Sequence, residues 1–217
     1  MKTIKYFSII VMLLLFSCST SRITSTWKAQ NVQSKKYNKI LVLGLIRESD
    51  RSIREKMEQH LLGDLTERGY NAICACEEFG PKAFENMTEK EAISKLTNSG
   101  IDAVLTIVLL DKTKERYYVP GRVYYSPYYN YHNRFWGYYT TMYDRIYSKG
   151  YYEVSTKYFW ESNLYDMDSK QLVYSVQTQS FDPSSSETLA HEYGKLIVNS
   201  MVKNNVLTTQ TSPLKAF

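Results

Sequence analysis

The chain has 217 residues, of which 43% are hydrophobic and 23% charged, so it can bury a core, and this composition argues against a disordered protein. The formal net charge is +5, but Lys2 and Lys5 precede an apolar run that we predict to be removed, which leaves about +3 on the mature chain. A charge this small argues against nucleic-acid binding. The unusual count is 20 tyrosines against 8 phenylalanines, because tyrosine combines an apolar ring with a hydroxyl that tolerates water.

The amino terminus has the pattern of an export signal. Met1 to Lys5 is short and basic, Ile9 to Phe16 is an unbroken apolar run, and Ser17 and Cys18 close it with small residues. A membrane-spanning helix would need about 20 apolar residues, and the apolar run here stops well short of that length. The pattern therefore predicts a cleaved signal peptide over residues 1–17.

The end of this segment, Leu15-Phe16-Ser17-Cys18, resembles the lipobox of bacterial lipoproteins. The resemblance implies that the Cys18 thiol carries a lipid such as palmitate, that Cys18 is the first mature residue, and that the membrane is reached through this lipid. The alternative is an ordinary secretory signal whose cysteine is incidental. Ser19 follows Cys18, and no acidic residue occurs before Glu48. By resemblance to lipoprotein sorting rules, this favours the cell envelope, at the outer membrane and facing the periplasm.

Residues 18–38 are polar and poor in aliphatic side chains, so we predict a flexible lipidated tether, with Trp27 as an exception that can pin part of it to the domain. The run Lys39–Ile46 then predicts a strand buried on both faces. Ser52 and Glu55 have the spacing of a capping box, and an apolar stripe follows at helical intervals until Gly69. These signals predict the first helix.

A second strand is predicted over Asn71–Cys76, and a second capping box at Thr88 and Glu91 begins a helix that ends at Gly100. The apolar run Ile101–Leu110 completes a βαβαβ unit with a largely parallel sheet.

Alternation of period two over Tyr152–Leu164, turn residues at Asp166–Lys170, and a second alternating run over 171–177 predict an antiparallel hairpin. A final helix after Pro183 runs to Asn204. The fold class predicted is α/β with a mixed (α+β) sheet: a βαβαβ unit, a tyrosine-rich insertion, an antiparallel hairpin and a C-terminal helix. One α/β domain spans 39–205 with its insertion at 116–150, and 206–217 is a tail.

This element order resembles the small α/β envelope domains of the curli-secretion lipoprotein, of the amino-terminal domain of the Tol-system propeller protein, and of lipoproteins that activate penicillin-binding proteins. Trp27 near the tether and the pair Gly69-Tyr70 after the first helix are also similar to a lipoprotein domain of unknown function. The resemblance covers about residues 25 to 204, rests on element order, and implies a fold without transferring a catalytic residue.

Thirteen of the 20 tyrosines lie between Tyr117 and Tyr152, and residues 116–150 hold five basic residues and one acid. Such a long aromatic connection indicates either a flap packed on its own domain or a partner-binding surface. The candidate contact residues are Tyr124, Tyr125, Tyr128, Tyr129, Tyr131, Arg134, Trp136, Tyr138 and Tyr139. An envelope protein, or peptidoglycan or another glycan, fits such a surface, whereas export argues against nucleic acid.

Catalytic and metal-binding patterns are weak. Cys74 and Cys76 lie two apart on the predicted second strand, where their separation of roughly 6.5 to 7 Å favours paired core thiols over a strained disulfide. His60, His132 and His191 sit on separate elements without ligand spacing, so we predict no metal, no cofactor and no catalytic residue. His191 is expected on a helix surface and His60 at the edge of the buried stripe.

The sequence therefore predicts a non-enzymatic cell-envelope lipoprotein that binds a protein partner or glycan through its α/β domain and tyrosine-rich insertion. The alternative is a self-assembling subunit of an envelope secretion or assembly complex, similar to the curli-secretion lipoprotein.

Lipidation of Cys18 is directly testable. Cells fed a clickable palmitate analogue should label the wild-type chain and leave Cys18→Ser unlabelled, since the thiol is the acceptor. The label is detected as a band on a gel. In detergent phase partitioning, the wild-type chain should enter the detergent phase and Cys18→Ser should stay in the aqueous phase. An unlabelled wild-type chain in the aqueous phase would remove the anchor.

Overall fold

The computed structural model describes residues 20–30, 32, 34–80, 84–119, 139 and 150–208. The strands are β1 (Ser21–Lys28), β2 (Ile40–Leu45), β3 (Ala72–Cys74), β4 (Ala103–Val119), β5 (Tyr151–Asp166) and β6 (Gln171–Phe181). The helices are α1 (Arg51–Glu67), α2 (Ala75–Glu78), α3 (Glu89–Asn98) and α4 (Ser186–Lys203), with a 3-10 turn at Glu48–Asp50 before α1.

The strands form one mixed six-stranded sheet in the order β1-β6-β5-β4-β2-β3. Strand β2 pairs in parallel with β3 on one edge and with β4 on the other, which confirms the predicted βαβαβ unit. The turn between β5 and β6 is too short for a crossover, so these neighbouring strands form the predicted hairpin. Strand β1 pairs antiparallel with β6 at the far edge. The α+β class with a C-terminal helix is confirmed.

The chain divides into two compact units. The larger unit holds the residues up to Lys112 and from Tyr158 onward, and the smaller unit is Thr113–Lys157. The smaller unit contains the predicted insertion together with the outer residues of β4 and β5.

The core of the larger unit follows from the alternation of side chains along β2. Ile40 and Val42 belong to the main cluster on the face covered by α1 and α4, whereas Leu41 belongs to a smaller cluster on the opposite face. That smaller cluster also contains Leu96 of α3, Ala75 of α2, Ile101 and Val104. All three β2 residues are fully buried, as the unbroken apolar run predicts.

Helices α1 and α4 bury apolar stripes on the same face of the sheet. The fully buried members are Met57, Leu61 and Leu65 of α1 and Leu189, Tyr193, Ile197 and Met201 of α4. Buried hydroxyls fix α4 to the strands below: Tyr193 bonds Ser162 of β5 at 2.7 Å, and Ser200 bonds Tyr174 of β6 at 2.7 Å. Because each hydroxyl has its partner, their burial costs little.

Local signals place several helix ends correctly. Both hydrogen bonds of the Thr88 capping box are present, and Gly69 and Gly100 end their helices at φ of 84° and 72°. The capping box predicted at Ser52 is wrong, because α1 already begins at Arg51. Its Glu55 instead pairs with Arg51 at 2.7 Å.

The prediction that residues 18–38 form a flexible tether is wrong over Ser21–Lys28, which is strand β1. Seven of its residues pair with β6, from Ser21 opposite Ser180 to Lys28 opposite Tyr174, with a register shift between Ile23 and Ser25. The chain just before β1 is also held, because the Thr20 hydroxyl donates to Glu192 at 2.9 Å. Lys35 bonds Asp166 at 2.7 Å. Edge-strand pairing supplies main-chain bonds that a polar sequence does not reveal.

Two further boundaries need correction. The predicted tail 206–217 begins too early, because Val206 and Leu207 are buried in the main core and Tyr70 donates to the Thr208 carbonyl at 2.8 Å. Residues 209–217 lie outside the described residues. The second predicted strand ends at Cys74 rather than Cys76, since a helical turn starts at Ala75. Within the described part of the chain, none of the helices has the length and hydropathy needed to cross a membrane.

Two neighbouring positions of α1 test this packing. Leu61→Ala should lower the free energy of unfolding by about 2–5 kcal/mol, because Leu61 is fully buried. Gly63→Ala should raise it by about 0.5–1 kcal/mol, since an added Cβ at this helical glycine meets nothing within 4 Å. Urea denaturation measures both, and equal effects would contradict the assigned orientation of α1.

Candidate functional site

Most of the site residues predicted from the sequence lie outside the described residues. The predicted lipid-attachment residue, Cys18, is one of these. Eight of the nine predicted contact residues are the others: Tyr124, Tyr125, Tyr128, Tyr129, Tyr131, Arg134, Trp136 and Tyr138. Tyr139 falls within the described residues and is 44% exposed, as a contact residue needs to be.

The two strand segments that flank the insertion carry further tyrosines that we did not select from the sequence. Tyr117 and Tyr118 lie at the end of β4, and Tyr151 and Tyr152 lie at the start of β5. All four are exposed, with fractions between 47% and 60%. We call these four residues with Arg116 the tyrosine platform. Their position at the borders of the insertion was the available sequence signal, since the tyrosine-rich run begins and ends with them.

Contacts within the smaller unit hold the platform side chains in defined positions. The rings of Tyr118 and Tyr152 pack edge to face, with their centroids 5.4 Å apart. The Arg116 guanidinium lies 4.1 Å from the Tyr152 ring centroid, which is a close cation–π contact. The Gly150 N–H donates to the Tyr118 hydroxyl at 3.1 Å. A Cβ at Gly150 would collide with Tyr118 and with the Val119 carbonyl, so glycine permits this approach.

The platform has the chemistry of a binding surface. Tyrosine and arginine are enriched where partners bind most strongly, and an exposed ring with a polar tip can stack on a sugar or cover an extended chain. Below the platform, Lys157 neutralises Glu115 with two contacts of 2.7 Å. The Arg116 guanidinium therefore contributes a positive charge at the face of the Tyr152 ring.

A second feature is a cleft of about 260 Å³ in the larger unit, at the carboxyl ends of β2 and β3, where α/β folds often place ligands. We call it the Glu58 cleft. Its lining includes Gly44, Arg54, Glu58, Cys76 and Phe84.

The prediction of paired core thiols at Cys74 and Cys76 is wrong, because the two residues form a disulfide. The prediction assumed that both cysteines lie on an extended strand. Strand β3 instead ends at Cys74 and α2 begins at Ala75, which brings the two Cα atoms to 5.2 Å. That distance lies within ordinary disulfide geometry.

Glu58 lies beside this disulfide and is 1% exposed. Its carboxyl group accepts from the Gly44 N–H at 2.6 Å and from the Cys76 N–H at 3.2 Å, and its Oε2 lies 3.0 Å from Cys74 Sγ. Burial is the largest influence and raises the pKa of Glu58, although the two N–H groups and nearby Arg54 oppose it.

The carboxylate of Glu58 and the sulfurs of Cys74 and Cys76 lie within 4.8 Å of one another, but sulfurs joined in a disulfide offer no thiolate ligand to a metal ion. We did not identify Glu58 from the sequence, because it is adjacent to the apolar stripe of α1 and a charged residue there is normally solvated.

A third feature lies between α1 and α4, in a groove of about 370 Å³. His60 and His191, which the sequence places on separate elements, lie with ring centroids 5.6 Å apart. His60 Nε2 lies 2.6 Å from Glu187 Oε1, and the nearby Asp64 has an Oδ2 without a hydrogen-bond partner among the described residues. Burial raises the pKa of Asp64. The expected positions hold, since His191 is exposed and His60 is half-buried.

No protein-family model and no curated protein sequence matches the chain. Among solved structures it is similar to a PelC dodecamer subunit from Paraburkholderia phytofirmans, with 12% identity, a TM-score of 0.41, and 86% of this chain and 96% of that chain covered. Lipoprotein GNA1162 from Neisseria meningitidis gives 15% identity, a TM-score of 0.42, and 76% and 99% coverage. A PDZ domain protein from Parabacteroides distasonis gives 10% identity, a TM-score of 0.36, and 96% and 40% coverage. Similarities this distant carry no functional argument.

Proposed function

We propose that this protein is a lipid-anchored envelope protein that binds a protein partner or glycan through its α/β domain and tyrosine-rich insertion, and that it acts by binding rather than by catalysis. The observation that carries the proposal is the tyrosine platform, in which exposed rings are held in place at both borders of the insertion. The residues predicted to make further contacts lie between those borders in the sequence.

The platform favours binding because its side chains are ordered before a partner arrives. Ordering a free side chain at an interface costs about 0.5–1.5 kcal/mol. Arg116 over Tyr152, and Tyr118 against the edge of that ring, reduce this cost. A partner that covers the exposed half of each ring buries its apolar surface. The tyrosine hydroxyls can still form hydrogen bonds with water or with the bound molecule.

The anchor and the fold together restrict which partners can reach the protein. Strand β1 begins at Ser21, three residues after Cys18, and three extended residues span at most about 11 Å. A lipid on Cys18 therefore holds the folded domain next to the bilayer. The flexible reach expected from a long tether is lost, so the proposed partners are molecules at the membrane surface or in the adjoining wall.

The proposal is tested with the full lipidated chain in its native envelope. The double variant Tyr118→Ala with Tyr152→Ala should weaken capture of the partner in a cross-linking pull-down by about tenfold or more, as expected when central aromatic contacts are lost. Trp27→Ala is the matched control, because Trp27 is 50% exposed but lies on β1, outside the platform. The peptidoglycan and the envelope proteins that are recovered with the chain are quantified separately.

Deletion of residues 117–150 from the folded, lipidated chain should abolish the same capture. Capture that persists equally in the double variant and in the deletion would refute the proposal. A cross-linked product containing two copies of this chain and no other partner would instead support a self-assembling subunit.

A further inference from the structure

We propose that Cys74 and Cys76 form a reversible thiol–disulfide exchange site, that low-molecular-weight thiols enter it through the Glu58 cleft, and that Glu58 exchanges the proton with Cys74. The inference does not depend on the proposed function, because it rests on residues of the larger unit and would stand if the tyrosine platform bound nothing. The exchange reduces or reoxidises the protein's own disulfide. Such a change of redox state is compatible with a protein that otherwise acts by binding.

The two sulfurs differ in access. Cys76 lines the cleft and is half-buried, whereas Cys74 is 1% exposed. A thiolate entering the cleft therefore reaches Cys76 Sγ, and the electron pair of the broken S–S bond goes to Cys74 Sγ. Thiol–disulfide exchange depends on which sulfur is attacked and on how well the other leaves.

Glu58 is placed to receive that leaving group. The Oε2 atom of Glu58 lies 3.0 Å from Cys74 Sγ, and Cys74 is the buried member of the disulfide. Burial raises the pKa of Glu58, so the carboxyl group holds its proton to a higher pH than a solvated glutamate does. A buried thiolate is costly, and a proton from the adjacent carboxyl group removes that cost.

The cleft also selects its ligand by size. Its volume of about 260 Å³ suits a molecule of a few residues at most. Its charged lining residues are Arg54, Glu58 and Glu85, so the lining carries both signs of charge. Gly44 contributes by its lack of a side chain, since a Cβ there would lie 2.7 Å from Glu58 Oε1 and from Arg54 Cγ.

The complete reaction uses two equivalents of thiol as the reductant. The first thiolate forms a bond with Cys76 Sγ as the Cys74–Cys76 bond breaks, and Cys74 takes the proton from Glu58. The second thiolate attacks the sulfur of the bound thiol, releasing a small disulfide and Cys76 as a thiolate that is protonated from water. Two electrons pass to the protein, and Glu58 recovers its proton from solvent. The reverse sequence oxidises the pair.

Single-cysteine variants test the assigned order of attack. In the full chain carrying Cys18→Ser, Cys74→Ser leaves Cys76 and Cys76→Ser leaves Cys74. With oxidised glutathione, the folded Cys76-containing variant should form the mixed disulfide at least tenfold faster than the Cys74-containing variant, as read by intact mass. In urea the two rates should become equal. Equal rates in the folded state would overturn the proposal.

The proton role of Glu58 is tested by pH. The rate of disulfide reduction by glutathione is divided by the fraction of glutathione present as thiolate. This corrected rate should be greatest at low pH and should fall as the pH rises through the raised pKa of Glu58, because the carboxyl group then loses the proton that it donates. Glu58→Gln should remove this dependence and slow reduction at pH 6 at least about tenfold. Glu67→Gln, an exposed position on the same helix, should behave as wild type.

Circular dichroism recorded during reduction separates exchange from unfolding. The proposal requires two thiols per chain to appear while the fold is retained. If the disulfide is reduced only when the chain unfolds, or if Glu58→Gln folds and keeps the wild-type pH profile, the bond is structural and the inference fails.

Discussion

The arrangement of this protein depends on the burial of β2 on both faces and its parallel pairing on both edges. Ile40 and Val42 hold α1 and α4 on one side, and Leu41 holds α2 and α3 on the other. The same pairing aligns the carboxyl ends of β2 and β3, where Gly44, Glu58 and the disulfide meet. The register of β2 with β4 ends at Val108, while β4 continues to Val119 and carries two of the platform tyrosines, Tyr117 and Tyr118.

Local chemistry explains why much of the fold was predictable. Thr88 with Glu91, Gly69 and Gly100 specify helix ends through contacts a few residues apart, and the apolar run of β2 is independent of what covers it. The failures are non-local. Residues 21–28 form a strand by pairing with the edge of β6, and Val206, which follows the end of α4, is buried in the main core.

The candidate sites divide in the same way. The tyrosine-rich segment was visible because composition is local, and its flanking residues share that composition. The Glu58 cleft was not, because burial of Glu58 depends on backbone N–H groups of Gly44 and Cys76 from two other elements. The disulfide was missed through one assumption about backbone geometry, since a helical turn at Ala75 shortens the distance between the cysteines. His60 and His191 met because α1 and α4 pack together, which the spacing within either helix does not reveal.

Only two residues separate Cys18 from β1, so the proposed lipid on Cys18 would hold the domain close to the membrane, without the reach of a long flexible tether. Hydroxyl-radical footprinting of intact envelopes and of the purified chain measures whether a partner covers the tyrosine platform. We expect Tyr118 and Tyr152 to become protected in the envelope, while the exposed Trp27 stays as reactive as in the purified protein. Equal labelling of the platform tyrosines in both preparations would contradict a bound partner at this surface.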